Sequence, residues 1–136
     1  MSGRIFIDTN ILVYAYTIGD MEKHEVAKRI FQTSSSCFVI STQVLSEVYV
    51  TLAKYGIEHD KIAATIFEIK TLCEVKPVTS ETVNRALEIK ARYRYSYWDS
   101  LILSSAFENT CSLLYSEDMD DGQIIENTLI IANPLK

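Results

Sequence analysis

Four acidic residues of this 136-residue chain stand where chemistry could use them: Asp8, Glu47, Asp99 and Asp118. Asp8 directly follows the apolar run Ile5-Phe6-Ile7. Glu47 falls in mid-helix, at the margin of a stripe made by Val44, Leu45, Val48 and Leu52. Asp99 shares a helical face with Ile102, Leu103 and Ala106, so it should point inward, where an unpaired carboxylate is costly. Asp118 comes just after Ser112-Leu113-Leu114-Tyr115. Carboxylates brought to one place repel, and one stays protonated unless a cation intervenes. Hard oxygen ligands suit Mg²⁺ or Mn²⁺, with waters completing the shell. One such ion can activate water and steady the charge on a phosphoryl oxygen; two can clamp the attacking and leaving oxygens.

Each acid also has a plainer explanation. Asp8 could cap a helix, although Thr9 and Asn10 are equally good caps and leave it less needed there. Glu47 could be an exposed glutamate in a sequence that favours helix. Asp99 could be a first-turn acid favoured by the helix dipole, which explains the turn but not the apolar face. Asp118 lies in a turn-like run, Asp118-Met119-Asp120-Asp121-Gly122, where Glu117 and Asp121 compete for any metal role. No Gly-rich phosphate loop or zinc-type His pair is present, and His24 and His59 read as surface residues at helix starts.

Positioning these acids requires strands that alternate with helices. Ile5–Ile7, Cys37–Ile40, Glu74–Lys76, Ser112–Tyr115, Gln123–Ile125 and Leu129–Ile131 read as strands. Helices are expected from Ile11, over Glu22–Gln32, Thr42–Tyr55 (ended by Gly56), Asp60–Leu72, from Thr79 or Ser80 to Ala91, and over Trp98–Glu108. Their inward residues should include Val26 and Ile30, then Ile62, Ile66 and Ile69, then Val83, Leu87 and Ile89. Thr33-Ser34-Ser35-Ser36 reads as a loop and Glu126-Asn127 as a turn. The alternation implies an α/β fold: three layers, α/β/α, around a mainly parallel sheet. Sites in such sheets lie outside the carboxyl ends of the strands, the edge that Asp8 and Asp118 should reach.

The totals bound the possibilities. Residues 1–136 suit one domain. Thirteen basic against 18 acidic residues give a net charge of −5, which argues against a nucleic-acid binder using its whole surface. It does not argue against a metal-dependent site, whose ion cancels acidic charge. The three cysteines, Cys37, Cys73 and Cys111, are far apart and read as small core residues in a reducing compartment. No secretory leader is evident, and no apolar run approaches the roughly 20 residues of a membrane span, so a cytoplasmic protein is expected.

The motifs resemble the PIN domain, and within it the VapC-type toxins of toxin–antitoxin pairs. The matching stretches are Ile7-Asp8-Thr9-Asn10, Ser46-Glu47, Tyr97-Trp98-Asp99-Ser100-Leu101-Ile102, Leu114-Tyr115-Ser116-Glu117-Asp118-Met119 and the closing Ile131-Ala132-Asn133-Pro134-Leu135. The resemblance implies a Mg²⁺- or Mn²⁺-dependent endoribonuclease with Asp8, Glu47, Asp99 and Asp118 as acidic ligands. It implies Thr9 and Ser116 as small polar residues that support those ligands. It also implies a homodimer and a cognate antitoxin. The crowding of Glu117, Asp120 and Asp121 around the fourth acid departs from the family pattern.

RNA would need a local docking surface. In Lys90-Ala91-Arg92-Tyr93-Arg94-Tyr95-Ser96-Tyr97-Trp98, arginines interleave with aromatics; Arg92, Arg94 and Trp98 are the candidate substrate contacts. The alternative is that these tyrosines pack on the core or on a second subunit. Two other functions compete with the nuclease. One is a catalytically idle module that binds metal or RNA and acts through protein partners. The other is a haloacid-dehalogenase-type phosphatase, disfavoured because Asn10 stands where its second aspartate is needed.

Overall fold

The computed structural model describes residues 3–33 and 36–136. The loop expected at Ser34 and Ser35 lies outside the described residues. Elements alternate as β1 (Arg4–Ile7), α1 (Thr9–Tyr16), α2 (Met21–Thr33), β2 (Cys37–Ser41), α3 (Thr42–Lys54), α4 (His59–Leu72), β3 (Glu74–Lys76), α5 (Ser80–Tyr93), α6 (Tyr97–Glu108), β4 (Leu113–Tyr115), β5 (Ile124–Ile125) and β6 (Leu129–Ala132). The local reasons are those the residues suggest. Ser41 caps α3 by accepting from Val44 N–H, and Thr79 and Thr82 form a reciprocal capping box at the start of α5. Gly56 takes a left-handed φ of 82° just past α3.

The strands form one sheet in the order β3-β2-β1-β4-β6-β5, parallel throughout except for the β5–β6 pair. Glu126 and Asn127, both at positive φ, turn the chain between those two strands. The chain moves outward from β1 to β2 and β3, then crosses back to β4 on the other side of β1. With right-handed crossovers, α1–α4 cover one face and α5–α6 the other. The packing agrees: α1 against α2 and α3, α3 against α4, α5 against α6. This is the three-layer α/β/α architecture expected. Phe6, Ile7, Val39, Ile40, Leu114 and Ile131 lie fully buried at its centre.

The reversal of direction between β1 and β4 creates a crevice beyond their carboxyl ends, the usual ligand position in open parallel sheets. Ile7 stands opposite Tyr115 in the register, so Asp8 and Ser116 leave the sheet side by side. Asp8 N–H continues the ladder to Tyr115 O at 3.0 Å.

Three expectations need correction. Leu87 is 54% exposed; the buried face of α5 is Thr82, Ala86 and Ile89, a stripe rotated away from it. Cys37 is exposed, because it opens an edge of β2, while Cys73 and Cys111 are buried. Asp118 does not directly follow its strand: Ser116 and Glu117 intervene after β4. Among the described residues, no helix is long and apolar enough to cross a membrane.

Candidate active site

Asp8, Glu47, Asp99 and Asp118 line one cavity of about 430 Å³, together with Thr9, Asn10, Tyr14 and Ser46 among others. They arrive from four places: the end of β1, the middle of α3, the first turn of α6 and the segment after β4.

Asp8 is both cap and cavity residue. It holds extended backbone, φ −73° and ψ 157°, and its Oδ1 accepts Thr9 N–H at 2.7 Å. Its Oδ2 accepts the Ser116 hydroxyl at 2.7 Å. Capping does not fall to Thr9 or Asn10, which are already inside α1. Their side chains instead serve the other acids. Thr9 Oγ1 donates to Glu47 Oε1 at 2.6 Å, and Asn10 Nδ2 donates to Asp118 Oδ2 at 2.9 Å. Ser116 Oγ also accepts Asp118 N–H at 3.3 Å. Thr9 and Ser116, singled out by the resemblance, thus hydrogen-bond three of the four acidic residues, two through carboxylates and one through backbone.

Glu47 Oε2 takes a second donor, Gln43 Nε2, at 3.0 Å. Sequence reasoning passed over Gln43, although its place four residues before Glu47 puts both on one helical face. It passed over Tyr14 as well. The Tyr14 hydroxyl donates to Glu117 Oε1 at 2.6 Å, and Lys23 Nζ pairs with Glu117 Oε2. Burial pushes the Glu117 carboxyl up, but the Lys23 and Tyr14 donors outweigh it and hold the pKa below its ordinary value. Asp121 is turned to Lys136 and to Asn133 N–H. Of the three acids competing for the fourth position, Asp118 is the one that lines the cavity.

Electrostatics mark the place further. Burial pushes the Asp8 carboxyl up to about 7, against the pull of Ser116 and Thr9; Asp99 and Glu47 push it the same way. Burial also raises Asp99, and the charges of Asp118 and Glu47 add to the shift. Two acids reluctant to ionise beside two others form a set that a cation would relieve.

Among the described residues, no three His, Cys, Asp or Glu side chains are gathered in a ready metal-ligand cluster. The hydrogen bonds explain this, since Asp8, Glu47 and Asp118 each lean on a protein donor. Mg²⁺ needs only one or two carboxylates and keeps several waters, so the all-oxygen set suits it without a closed protein shell.

The arginine–aromatic segment is not gathered at this cavity. Arg92 pairs with Glu126 at 2.5 Å, and Tyr93 Oη donates to the same carboxylate at 2.9 Å. Tyr95 Oη bonds Gln123 and accepts Asp120 N–H. Arg94 ends α5 in the left-handed region, φ 66°, and is exposed. Trp98 is exposed on the first turn of α6, next to Asp99.

Comparison with known proteins places this geometry in context. The family model for the PIN domain matches residues 5–123. The Mycobacterium tuberculosis toxin VapC20, described as cleaving the sarcin–ricin loop, is similar at 26% identity and a TM-score of 0.71, over 85% of this chain and 91% of that one. A toxin–antitoxin complex from Klebsiella pneumoniae aligns at 22% identity and 0.70, over 96% and 97%. DNA-bound VapBC from Salmonella typhimurium aligns at 16% and 0.71, over 98% and 99%. No curated protein sequence matches the chain.

Proposed function

Because the chain belongs to the PIN-domain family, we propose that it is a Mg²⁺- or Mn²⁺-dependent endoribonuclease and the toxin of a toxin–antitoxin pair. The strongest support is the meeting of four carboxylates on one cavity at the β1–β4 crevice. VapC20, a sarcin–ricin loop cleaving toxin by its description, is the similar structure that lends the substrate class.

Asp8, Glu47, Asp99 and Asp118 would hold the ion. When bound, it supplies an activated water and a counter-charge for the phosphoryl oxygen. The chain's own residues prepare the site. Ser116 and Thr9 N–H fix both oxygens of Asp8. Thr9 Oγ1 and Gln43 orient Glu47, and Asn10 orients Asp118. Asp99 stands on the first turn of α6, with the Ser96 hydroxyl as its hydrogen-bond partner. Such outer donors typically change metal affinity or activity by about 10–100-fold when removed.

A cognate antitoxin is the partner suggested by the toxin–antitoxin complexes among the similar structures. A homodimer follows from the family resemblance. The three cysteines are free among the described residues, in keeping with a reducing compartment such as the cytoplasm.

The test is cleavage of single-stranded RNA in Mn²⁺ and in EDTA, by the wild type, Asp8→Asn and Asp99→Asn. Cutting by the wild type in Mn²⁺ alone is expected, with both variants inactive and folded. Equal cutting by all three would sink the proposal. Stable metal binding without any RNA loss, across varied RNAs at stoichiometric protein, would favour the idle module. That reading draws on the lack, among the described residues, of a preformed three-ligand cluster.

A further inference from the structure

We propose that a second cavity, beside the carboxylates, seats one unpaired base of the substrate RNA, stacked on Trp98 and hydrogen-bonded to Gln43. That the occupant is RNA rests on the endoribonuclease reading above.

This cavity, of about 480 Å³, is lined by Gln43, Ser46, Glu47, Val78, Trp98 and Leu101, among others. Ser46 and Glu47 line the carboxylate cavity too, so the two spaces share a wall. A base held in one therefore adjoins a phosphate placed in the other. Among the described residues no basic side chain lines the second cavity, and Glu47 would repel a phosphate there. A neutral, flat ligand suits it, and Val78 and Leu101 offer apolar surface to such a ring.

Trp98 is 61% exposed, directly before Asp99 in the chain. Its indole is not loose: Tyr97 packs edge-on, with ring centroids 5.1 Å apart at 71°. Gln43 Nε2 binds the Trp98 carbonyl at 3.1 Å and Glu47 Oε2 at 3.0 Å. An exposed indole braced in this way is a stacking platform of the kind that accepts any base face.

Gln43 supplies a hydrogen-bond acceptor. Its Nε2 meets two acceptors, so exchanging amide N and O would set oxygen against oxygen. Its Oε1 is thereby fixed as a buried acceptor, and among the described residues it has no hydrogen-bond partner. Buried polar atoms in native structures are rarely left so. An N–H from a base on Trp98 provides the missing donor. Every base carries such an N–H, an exocyclic amino group in adenine, cytosine and guanine and the N3 imino group in uracil, so this acceptor anchors a base without choosing among them.

Trp98 is the chain's single tryptophan, so intrinsic tryptophan emission reports on this one side chain. The intact protein, in EDTA, is titrated with single-stranded oligo(A), oligo(C) and oligo(U). Saturable quenching is expected with all three. By anisotropy of labelled RNA, Trp98→Ala weakens binding roughly fivefold to a hundredfold, and Trp98→Phe recovers most of it. Gln43→Leu, which removes the acceptor and the brace on the Trp98 carbonyl, weakens binding to all three oligonucleotides alike. Emission indifferent to all three oligonucleotides would overturn the base site even if Mn²⁺-dependent cleavage is intact, leaving the cavity to a protein contact. Saturable quenching without any cleavage would retain the base site and remove the nuclease assignment.

Discussion

Asp8 caps α1, continues the β1 ladder and lines the cavity, all while buried. Its raised pKa gives a signed prediction. An unfolded aspartate titrates near about 3.9, whereas burial, reinforced by Asp99 and Glu47, holds this carboxyl at about 7. The folded state thus binds the extra proton. Its contribution to stability is full below pH about 4 and is lost as the pH rises to about 7. Thermal melts of the metal-free protein should show the wild type losing ground against Asp8→Asn over that window. Parallel curves for the two proteins would refute the shift. Mn²⁺ should restore more of the wild type's melting temperature at pH 7 than at pH 5, because the ion competes with the proton. Thr9→Val removes the donor to Glu47 Oε1 and replaces a hydroxyl on α1 with a methyl. It should lower metal affinity or cleavage by about 10–100-fold with only a small change in melting temperature. Unchanged activity would mean that Thr9 does not orient Glu47.

β1 is the mount of the site, and its side chains are core. Phe6 is fully buried beneath the residue pair that carries Asp8 and Ser116. Phe6→Ala should cost about 3–5 kcal/mol of stability by denaturant unfolding; a loss under 1 kcal/mol would show that the strand is not the anchor described. Elements of this kind were legible in the sequence, because buried strands and strong caps declare themselves locally. Helix faces were less so. On α5, Leu87 shares the period of a plausible stripe, but the buried face runs through Thr82, Ala86 and Ile89, and only packing against α6 decides between them. The acids could be picked out because strand ends, stripe margins and first turns are sequence features. Their sorting could not. Glu117 is engaged by Lys23, which is 94 residues away, and Asp121 by Lys136 and Asn133. Gln43 and the cavity it shares with Trp98 depend on α3 meeting α6, a contact that no local pattern encodes.

Across the whole molecule, a net charge of −5 leaves little to attract RNA at long range. Several cations are already engaged: Arg4 and Lys76 with Glu74, Lys23 with Glu117, Arg92 with Glu126, Lys136 with Asp121. Binding of single-stranded RNA should therefore depend only weakly on salt. With one or two phosphates neutralised, the logarithmic slope should be about −1, since each contributes roughly −0.7. A slope steeper than about −4 would contradict this and point to a basic surface engaging several phosphates. The arrangement of helices on both faces of a sheet that reverses between β1 and β4 does one thing for function: it carries four acids from distant parts of the chain to one crevice. The most direct measurement of that claim is anomalous diffraction from crystals soaked in Mn²⁺. A manganese peak within about 2.0–2.3 Å of carboxylate oxygens from Asp8 and at least one of Glu47, Asp99 and Asp118 is predicted. A fully soaked crystal with no peak in the cavity, or with manganese held only by Glu117, Asp120 or Asp121, would contradict it.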